Sequence, residues 1–295
     1  MEDFARLKEK FPKLKFEPNY SFARHTTIGC GGTAACCVYP DSTETVAELI
    51  SYLSREKIPH CFLGAGANVL PAEGEYAGVV IKFSGMQRLT SSGELVEADA
   101  GVTGGRLLKF SCENALSGFE PFTGIPMTIG GGVTMNAGIP DLHFADVVEK
   151  VTAVEKGKIY EFSNKDCGFS QKESIFQSGI AVTKVILRGG MAQSSLISER
   201  EKFYRERRKH LPKGRSMGCV FVNPPGVSAG KLIDECGLKG RRVGGAVVSE
   251  IHANFIINEG GTSDEIAELI EIVKQTVKRG KGILLREEIR RIGNT

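Results

Sequence analysis

The chain has 295 residues, of which 41% are hydrophobic and 25% charged, with 36 glycines, eight cysteines and no tryptophan. That length predicts two or three domains, and the hydrophobic share supports packed cores rather than disorder. A formal net charge of +3, from 38 basic and 35 acidic residues, gives no general attraction to nucleic acid.

The opening MEDFARLKEKFP carries charges throughout, so neither an export signal nor a membrane span is expected, and a cytoplasmic site is. The cysteines stand singly or adjacent (Cys36, Cys37), without a CxxC pair. Reduced thiols, mostly serving as small buried apolar groups, are the expectation, and a zinc site is not. Segment Ser42–Lys57 has a Ser/Thr cap, a nearby Glu and apolar residues at helical spacing, which predicts a helix. His60–Leu63 and Gly78–Phe83 predict strands, giving a β-α-β-β unit.

Between Ser84 and Gly190 strand-like runs (Leu95–Ala98, Val147–Val154, Ala181–Leu187) surround one helical stretch, Gly105–Ala115, as in an α+β domain. The charged segment Ser198–Lys213 predicts an exposed helix and a linker. A third, α/β module follows, with helices at Ala229–Cys236 and Ser263–Arg279 and a strand at Ala253–Asn258. No metal spacing links the five histidines, and His252, in that apolar strand, reads as a core group.

Two glycine-rich segments carry the first chemical signal. FLGAGANVL (Phe62–Leu70) feeds an apolar strand into a turn of Gly64, Ala65 and Gly66, where bare N–H groups can converge on a pyrophosphate. It is not GxGxxG and no helix is expected after it, which disfavours an ordinary dinucleotide fold; a plain β-turn is the alternative. GFEPFTGIPMTIGGGVTMNAG (Gly118–Gly138) alternates small and apolar residues, with Asn136 as its main amide. Such backbone can run along a flat or phosphorylated ligand, or simply turn between strands. Eight Lys and Arg against two Glu over Arg200–Arg215 read as a solvated helix face, since no nucleic-acid motif accompanies them.

Six motifs occur in one order: HTTIGCGGTA (His25–Ala34), LGAGANVL (Leu63–Leu70), GIPMTIGGGVTMNAG (Gly124–Gly138), SMGCVFVNP (Ser216–Pro224), GLKGRRVGGAVVSEIHANFIIN (Gly237–Asn258) and GILLREEIRRIG (Gly282–Gly293). Together they resemble the flavin-dependent UDP-N-acetylenolpyruvoylglucosamine reductases, over nearly the whole chain and in the shorter subtype. The resemblance implies an α+β protein: a two-domain FAD-binding fold of the FAD-linked oxidase (PCMH-type) kind, with FAD held between its two parts, plus a C-terminal α/β substrate domain. Its bounds would be 1–84 and 85–195 for the FAD-binding subdomains and 196–283 for the substrate domain, with the tail 284–295 returning to the first subdomain or to the active site.

By the same resemblance noncovalent FAD would be lined by Gly64, Ala65, Gly66, Ala67, Asn68, Val69 and Leu70. The second lining would be Gly124, Ile125, Pro126, Thr128, Ile129, Gly130, Gly131, Asn136, Ala137 and Gly138. NADPH would be the co-substrate, and the enolpyruvyl ether of UDP-N-acetylglucosamine would be reduced for peptidoglycan synthesis, hence for cell-wall biogenesis, shape and division. A monomer with small-molecule partners only, without nucleic acid, membrane or metal, is expected.

Hydride addition to the alkene puts charge onto the conjugated carboxylate, so the reaction needs a cation, a carboxylic acid and a proton donor. The family's roles fall on Lys172, Glu288 and Cys219. Cys219 stands where the family usually carries serine, and a thiol is the stronger acid. Gln171 and Lys172 stand in place of a family Tyr-Arg, and Met127 in place of a family glycine. Lysine keeps the charge but loses the planar two-point grip of arginine. Asn223 matches a substrate-contacting asparagine; of Arg205, Arg207, Arg208 and Lys213, one or two are expected at the UDP diphosphate, with Arg205 and Arg208 the first expectation, and Lys239 and Arg241 are further, unranked basic residues. The alternatives are an FAD-linked oxidase or dehydrogenase acting on another sugar or alcohol, and a catalytically weak flavin-binding homologue.

Overall fold

The computed structural model describes residues 2–293, without the side chains of Glu2 and Asp3. The expected first domain and C-terminal tail therefore include positions (Met1, Asn294, Thr295) outside the described residues. The chain divides into two compact units, one of Met1–Pro18, Cys36–Ala65 and Gly78–Lys209, the other of Asn19–Ala35, Gly66–Ala77 and His210–Thr295.

The first unit is built on a five-stranded antiparallel sheet in the order Lys158–Ser163, Val148–Glu155, Ala181–Arg188, Leu95–Asp99, Leu89–Ser92. Its central strands read VEKVTAVE and AVTKVILR, and the alternation that puts Val151, Ala153, Val185 and Leu187 into the core is the period of a pleated strand. Beside it His60–Phe62 runs parallel to Val79–Ile81. The helix Thr43–Arg55 starts where Ser42 Oγ accepts the Thr45 N–H at 3.1 Å, and it buries Val46, Ala47, Leu49, Ile50 and Leu53. Each of the larger of these side chains (Val46, Leu49, Ile50, Leu53) contributes about 1.5–3 kcal/mol when taken out of water, which is why this face and not capping alone holds the helix.

One helix was not expected. Ile129–Thr134 (IGGGVT) is helical although glycine costs about 1 kcal/mol per helical position. Thr128 caps it, its Oγ1 accepting the Gly131 N–H at 3.3 Å. A Cβ on Gly130 would meet Ala100 Cβ at 2.7 Å, and one on Gly132 would meet the Phe144 ring at 2.3 Å. The glycines let this turn lie flush on the sheet, and close packing outweighs propensity. Met127 fits because Gly104 leaves room for it: a Cβ there would lie 3.2 Å from Met127 Cε.

The charged helix spans Ser194–Arg208, beginning four residues before the expected Ser198 and stopping short of Lys213. Pro212 disfavours helical backbone at the residue before it and ends the run.

The second unit packs the helices Ala229–Glu235 and Ser263–Lys281 with the antiparallel strands Arg242–Val243, Ala246–Val248 and Ile256–Asn258. Thr262 and Glu265 cap the long helix reciprocally, and Gly282 ends it in the left-handed conformation at φ +71°. The strand predicted from Ala253 begins only at Ile256, because Phe255 N–H bonds back to the His252 carbonyl (2.9 Å) and closes a turn. His252 therefore lies in that turn and not in a strand; it is half-buried and packs edge-on to Phe255. The C-terminal strand Arg290–Ile292 pairs parallel with Val69–Pro71.

Candidate active site

In the first unit the two glycine-rich segments meet. A Cβ on Gly64 would lie 2.7 Å from Thr128 Oγ1 and 3.6 Å from Gly131 Cα, so bare backbone of one segment faces bare backbone of the other. Gly124 adopts φ +75°, and Arg208 lies against it, its Cδ 2.9 Å from where a Cβ would stand. Next to Gly124 the hydroxyl of Thr123, 4% exposed, is buried with no hydrogen-bond partner in the protein. Arg208 thus joins this glycine-rich lining, while Arg205 is 68% exposed on the same helix and pairs only loosely with Glu201 (3.9 Å). Arg207, between them, bonds Asp141 at 2.6 Å and lies over the Phe203 and Tyr204 rings.

Asn136 is buried, and its side chain is spent on the protein: Nδ2 donates to the Ser170 carbonyl (2.8 Å), and Oδ1 accepts the Ala145 N–H (2.9 Å). That bond anchors the turn carrying Lys172. Ser170 and Glu173 exchange main-chain bonds at 3.1 and 3.3 Å, and Gln171 and Lys172 form the tip between them. Lys172 sits at φ +62°, a conformation that costs a non-glycine residue energy unless its surroundings impose it. The surroundings do. Ser174 Oγ donates to the Thr134 carbonyl (2.7 Å), Gln177 Nε2 to the Lys172 carbonyl (2.8 Å), and Lys172 Nζ to the Gly138 carbonyl (3.0 Å). Of the side chains that make these tethers, Asn136 and Lys172 itself are singled out by the sequence. Ser170, Ser174 and Gln177 are polar residues near a polar turn, a pattern too common to stand out.

In the second unit Cys219 and Glu288 are brought onto adjoining main chain. Cys219 bridges Phe255 and Phe221 bridges Glu287, while Glu288 N–H donates to the Val220 carbonyl at 2.7 Å. Asn254, 3% exposed, locks the middle of this segment: its Oδ1 accepts the Phe221 N–H (2.9 Å) and its Nδ2 donates to the Phe221 carbonyl (2.8 Å). Asn68 joins the same network, its Nδ2 donating to the Glu288 carbonyl (3.1 Å) and its carbonyl accepting the Arg290 N–H (2.9 Å). Gly66 is forced to be glycine by φ +69° and by the His25 carbonyl 2.4 Å from its missing Cβ.

Asn223 is exposed, and its Oδ1 accepts the Ala229 N–H at the start of a helix (2.9 Å). Arg215 lies along Gly29, where a Cβ would be 2.7 Å from its Cδ.

Beside Glu288, Glu287 is held by Lys274 (3.1 Å) and Arg291 (3.1 Å). Burial alone would raise its carboxyl, but these two cations win and hold it below the ordinary range. Burial pushes the thiols of Cys37, Cys61 and Cys167 up to about 12, so they stay protonated and inert. Among the described residues no cysteine is in a disulfide, no acidic, His or Cys cluster is arranged to hold a metal ion, and no helix is long and apolar enough to cross a membrane.

Residues 34–163 match the family model of an FAD binding domain, and residues 209–292 that of the UDP-N-acetylenolpyruvoylglucosamine reductase C-terminal domain. The UDP-N-acetylenolpyruvoylglucosamine reductase of Caldanaerobacter subterraneus is 36% identical, over 98% of this chain and 97% of its own. That of Rickettsia felis is 32% identical over 95% and 97%. The crystal structure of the UDP-N-acetylenolpyruvylglucosamine reductase from Thermus caldophilus superposes with a TM-score of 0.83 at 32% identity, covering 95% of this chain and 99% of that one. With full-length relatives at that identity, the chain belongs to the UDP-N-acetylenolpyruvoylglucosamine reductase family.

Proposed function

We propose that this chain reduces the enolpyruvyl ether of UDP-N-acetylglucosamine to UDP-N-acetylmuramate, with noncovalent FAD as cofactor and NADPH as the source of reducing equivalents. The observation that carries the reading is the hydrogen-bonded placement of Cys219–Val220 against Glu288. Family membership supplies the substrate class. The residues present fit FAD: Gly64 faces Gly131 where any Cβ would fill the space, and the buried Thr123 hydroxyl beside Gly124 lacks a partner that a bound group can supply.

When bound, FAD supplies the two-electron hydride chemistry that no side chain here can perform. Across the whole reaction the alkene gains a hydride at its terminal carbon and a proton at the carbon bearing the carboxylate, and NADPH becomes NADP+. Negative charge develops on that carboxylate. The Lys172 ammonium stabilises it electrostatically, Glu288 as a carboxylic acid donates a hydrogen bond to it, and the Cys219 thiol delivers the proton to carbon.

Main-chain N–H groups of Gly64, Ala65, Gly66 and Ala67 would hold the cofactor's diphosphate, with Thr128, Gly131, Val69 and Leu70 lying along it. Ile125, Pro126, Ile129 and Ala137 give it apolar contact. Arg208, Arg205 and Asn223 serve the UDP moiety. Residues 1–84 and 85–195 act as the FAD-binding subdomains and 196–283 as the substrate domain, in a cytoplasmic monomer.

The test is optical. Purified protein should be yellow, should bleach with NADPH, and should regain colour on addition of UDP-N-acetylglucosamine enolpyruvate with UDP-N-acetylmuramate as product. Protein that stays colourless with added FAD, or reduced protein that the enol ether does not recolour, overturns the proposal.

A further inference from the structure

Lys172 is not the only nitrogen-bearing side chain brought to Gly138. Gly138 and Ile139 pair antiparallel with His143 and Leu142, which sets His143 directly opposite Gly138. The approach is close: a Cβ on Gly138 would lie 2.1 Å from the Leu142 carbonyl oxygen and 2.6 Å from His143 Cα. The carbonyl of that glycine accepts Lys172 Nζ at 3.0 Å. Two separate elements, the Ser170–Glu173 turn and the Gly138–His143 hairpin, therefore bring the Lys172 ammonium to the Gly138 carbonyl and set His143 directly opposite that glycine, which has no side chain of its own to stand between them.

His143 is half-buried, and its main-chain N–H is tied to Asp146 Oδ2 at 2.7 Å. Burial, and after it the charge of Lys172, hold its ring below the ordinary imidazole range, with Asp146 acting the other way. Those two residues are the charged groups that act on the ring. At neutral pH the ring is uncharged, with one N–H donor.

A lysine ammonium is a point charge and cannot grip both oxygens of a carboxylate at fixed geometry as a guanidinium does. We propose that His143 is the second donor of the substrate-carboxylate site, so that Lys172 and His143 together hold the two oxygens. This rests on the enolpyruvyl-ether reading above. It has a linkage consequence. A carboxylate bound against the ring favours the imidazolium, so the ring's pKa rises on binding. Binding then takes up a proton, and it tightens as pH falls from above the bound-state value toward the lower free-state value, levelling off below it.

The experiment uses the oxidised holoenzyme, titrated with the enolpyruvyl substrate and followed by the perturbation of flavin absorption between about pH 5.5 and pH 8, the range in which imidazoles titrate. His143→Phe is expected to weaken binding by about tenfold or more, the scale for losing a hydrogen bond to a charged group, and to slow reoxidation of reduced flavin while NADPH reduces it at the parent rate. His143→Gln keeps an N–H donor, so it should bind nearly as the parent does but lose the pH slope. Parent-like binding and reoxidation in His143→Phe, or a pH slope that survives in His143→Gln, overturns the proposal. Should His143→Phe fail to load flavin, the slope in His143→Gln decides alone. A parent holoenzyme that does not respond to the substrate removes the functional reading and this proposal together. A responding parent with an indifferent His143→Phe removes only this one.

Discussion

The two units hold their candidate catalytic groups by different means. In the second unit Cys219 and Glu288 are fixed mainly by backbone: bridges to Phe255 and Glu287, the Glu288-to-Val220 bond, and the double clamp of Asn254 on Phe221. In the first unit Lys172 rides on a four-residue turn at φ +62°, tied down by the side chains of Asn136, Ser174, Gln177 and Lys172 itself. A backbone network survives loss of the functional side chain, because the groups that make it are common to every residue. A turn anchored by side chains does not. The first arrangement should therefore separate chemistry from stability under mutation, and the second should couple them.

The sharpest separation is expected at Cys219. Cys219→Ala should slow reoxidation of reduced flavin by the enolpyruvyl substrate about 10²–10⁴-fold, the range for losing a positioned proton donor, with flavin reduction by NADPH and melting temperature unchanged. Cys219→Ser should keep much of the rate. Equal losses in both half-reactions would assign the thiol to packing. Lys172→Met should raise the barrier of the same step by on the order of a few kcal/mol. Lys172→Arg should keep or improve it, since both residues bear the strain of φ +62° alike. Parent-rate turnover by Lys172→Met would move the site cation elsewhere, with Arg215 next to test.

Coupling is what Asn136 should reveal. Asn136→Gly keeps the backbone free at its φ of +41° but removes both buried side-chain bonds, and it should cost about 1–3 kcal/mol in denaturant unfolding while also slowing reoxidation. A variant that loses stability alone would break the contrast between the units. The matching change in the second unit, Asn68→Ala, leaves the main-chain bond from Arg290 in place and should cost only about 1 kcal/mol, with little effect on rate.

The smallest effect concerns pH. Glu287 has its folded pKa held below the ordinary 4.5, so its stabilisation is present above that value and is lost as pH falls through the lower folded value. Glu287→Gln should flatten the acid limb of a stability-versus-pH curve and leave Glu288-dependent chemistry intact. An unchanged acid limb would show that Lys274 and Arg291 do not act on Glu287 as their 3.1 Å bonds imply.

Much of this could be read from the residues alone. The helices at Thr43–Arg55 and Ser263–Lys281 follow from apolar spacing and, for the first, from Ser42 as a cap, because both signals lie within one or two turns of chain; the long helix is capped by Thr262, one residue before the Ser-Asp pair that the sequence suggests as its cap. The strands Val148–Glu155 and Ala181–Arg188 follow from runs rich in Val, Ile and Thr. The two glycine-rich segments stand out by composition and the motifs around Cys219 and Glu288 by their order, whereas Lys172 follows only from the resemblance that those motifs carry.

What the tertiary structure decided is why those residues are what they are. Gly130 and Gly132 are small because Ala100 and Phe144 press on them, a reason for glycine distinct from ligand contact and invisible without the fold. Asn136, read as a ligand amide, spends its side chain on Ser170 and Ala145, 34 and 9 residues away, and so holds the Lys172 turn. His143 gave no signal at all, since a single histidine acquires meaning only from a ladder partner such as Gly138 and from the lysine brought to the same glycine. Local spacing and caps act over a few residues and are written in the order of the chain. Clashes, buried hydrogen bonds and shared electrostatic surroundings act between residues distant in that order, and only folding brings them together.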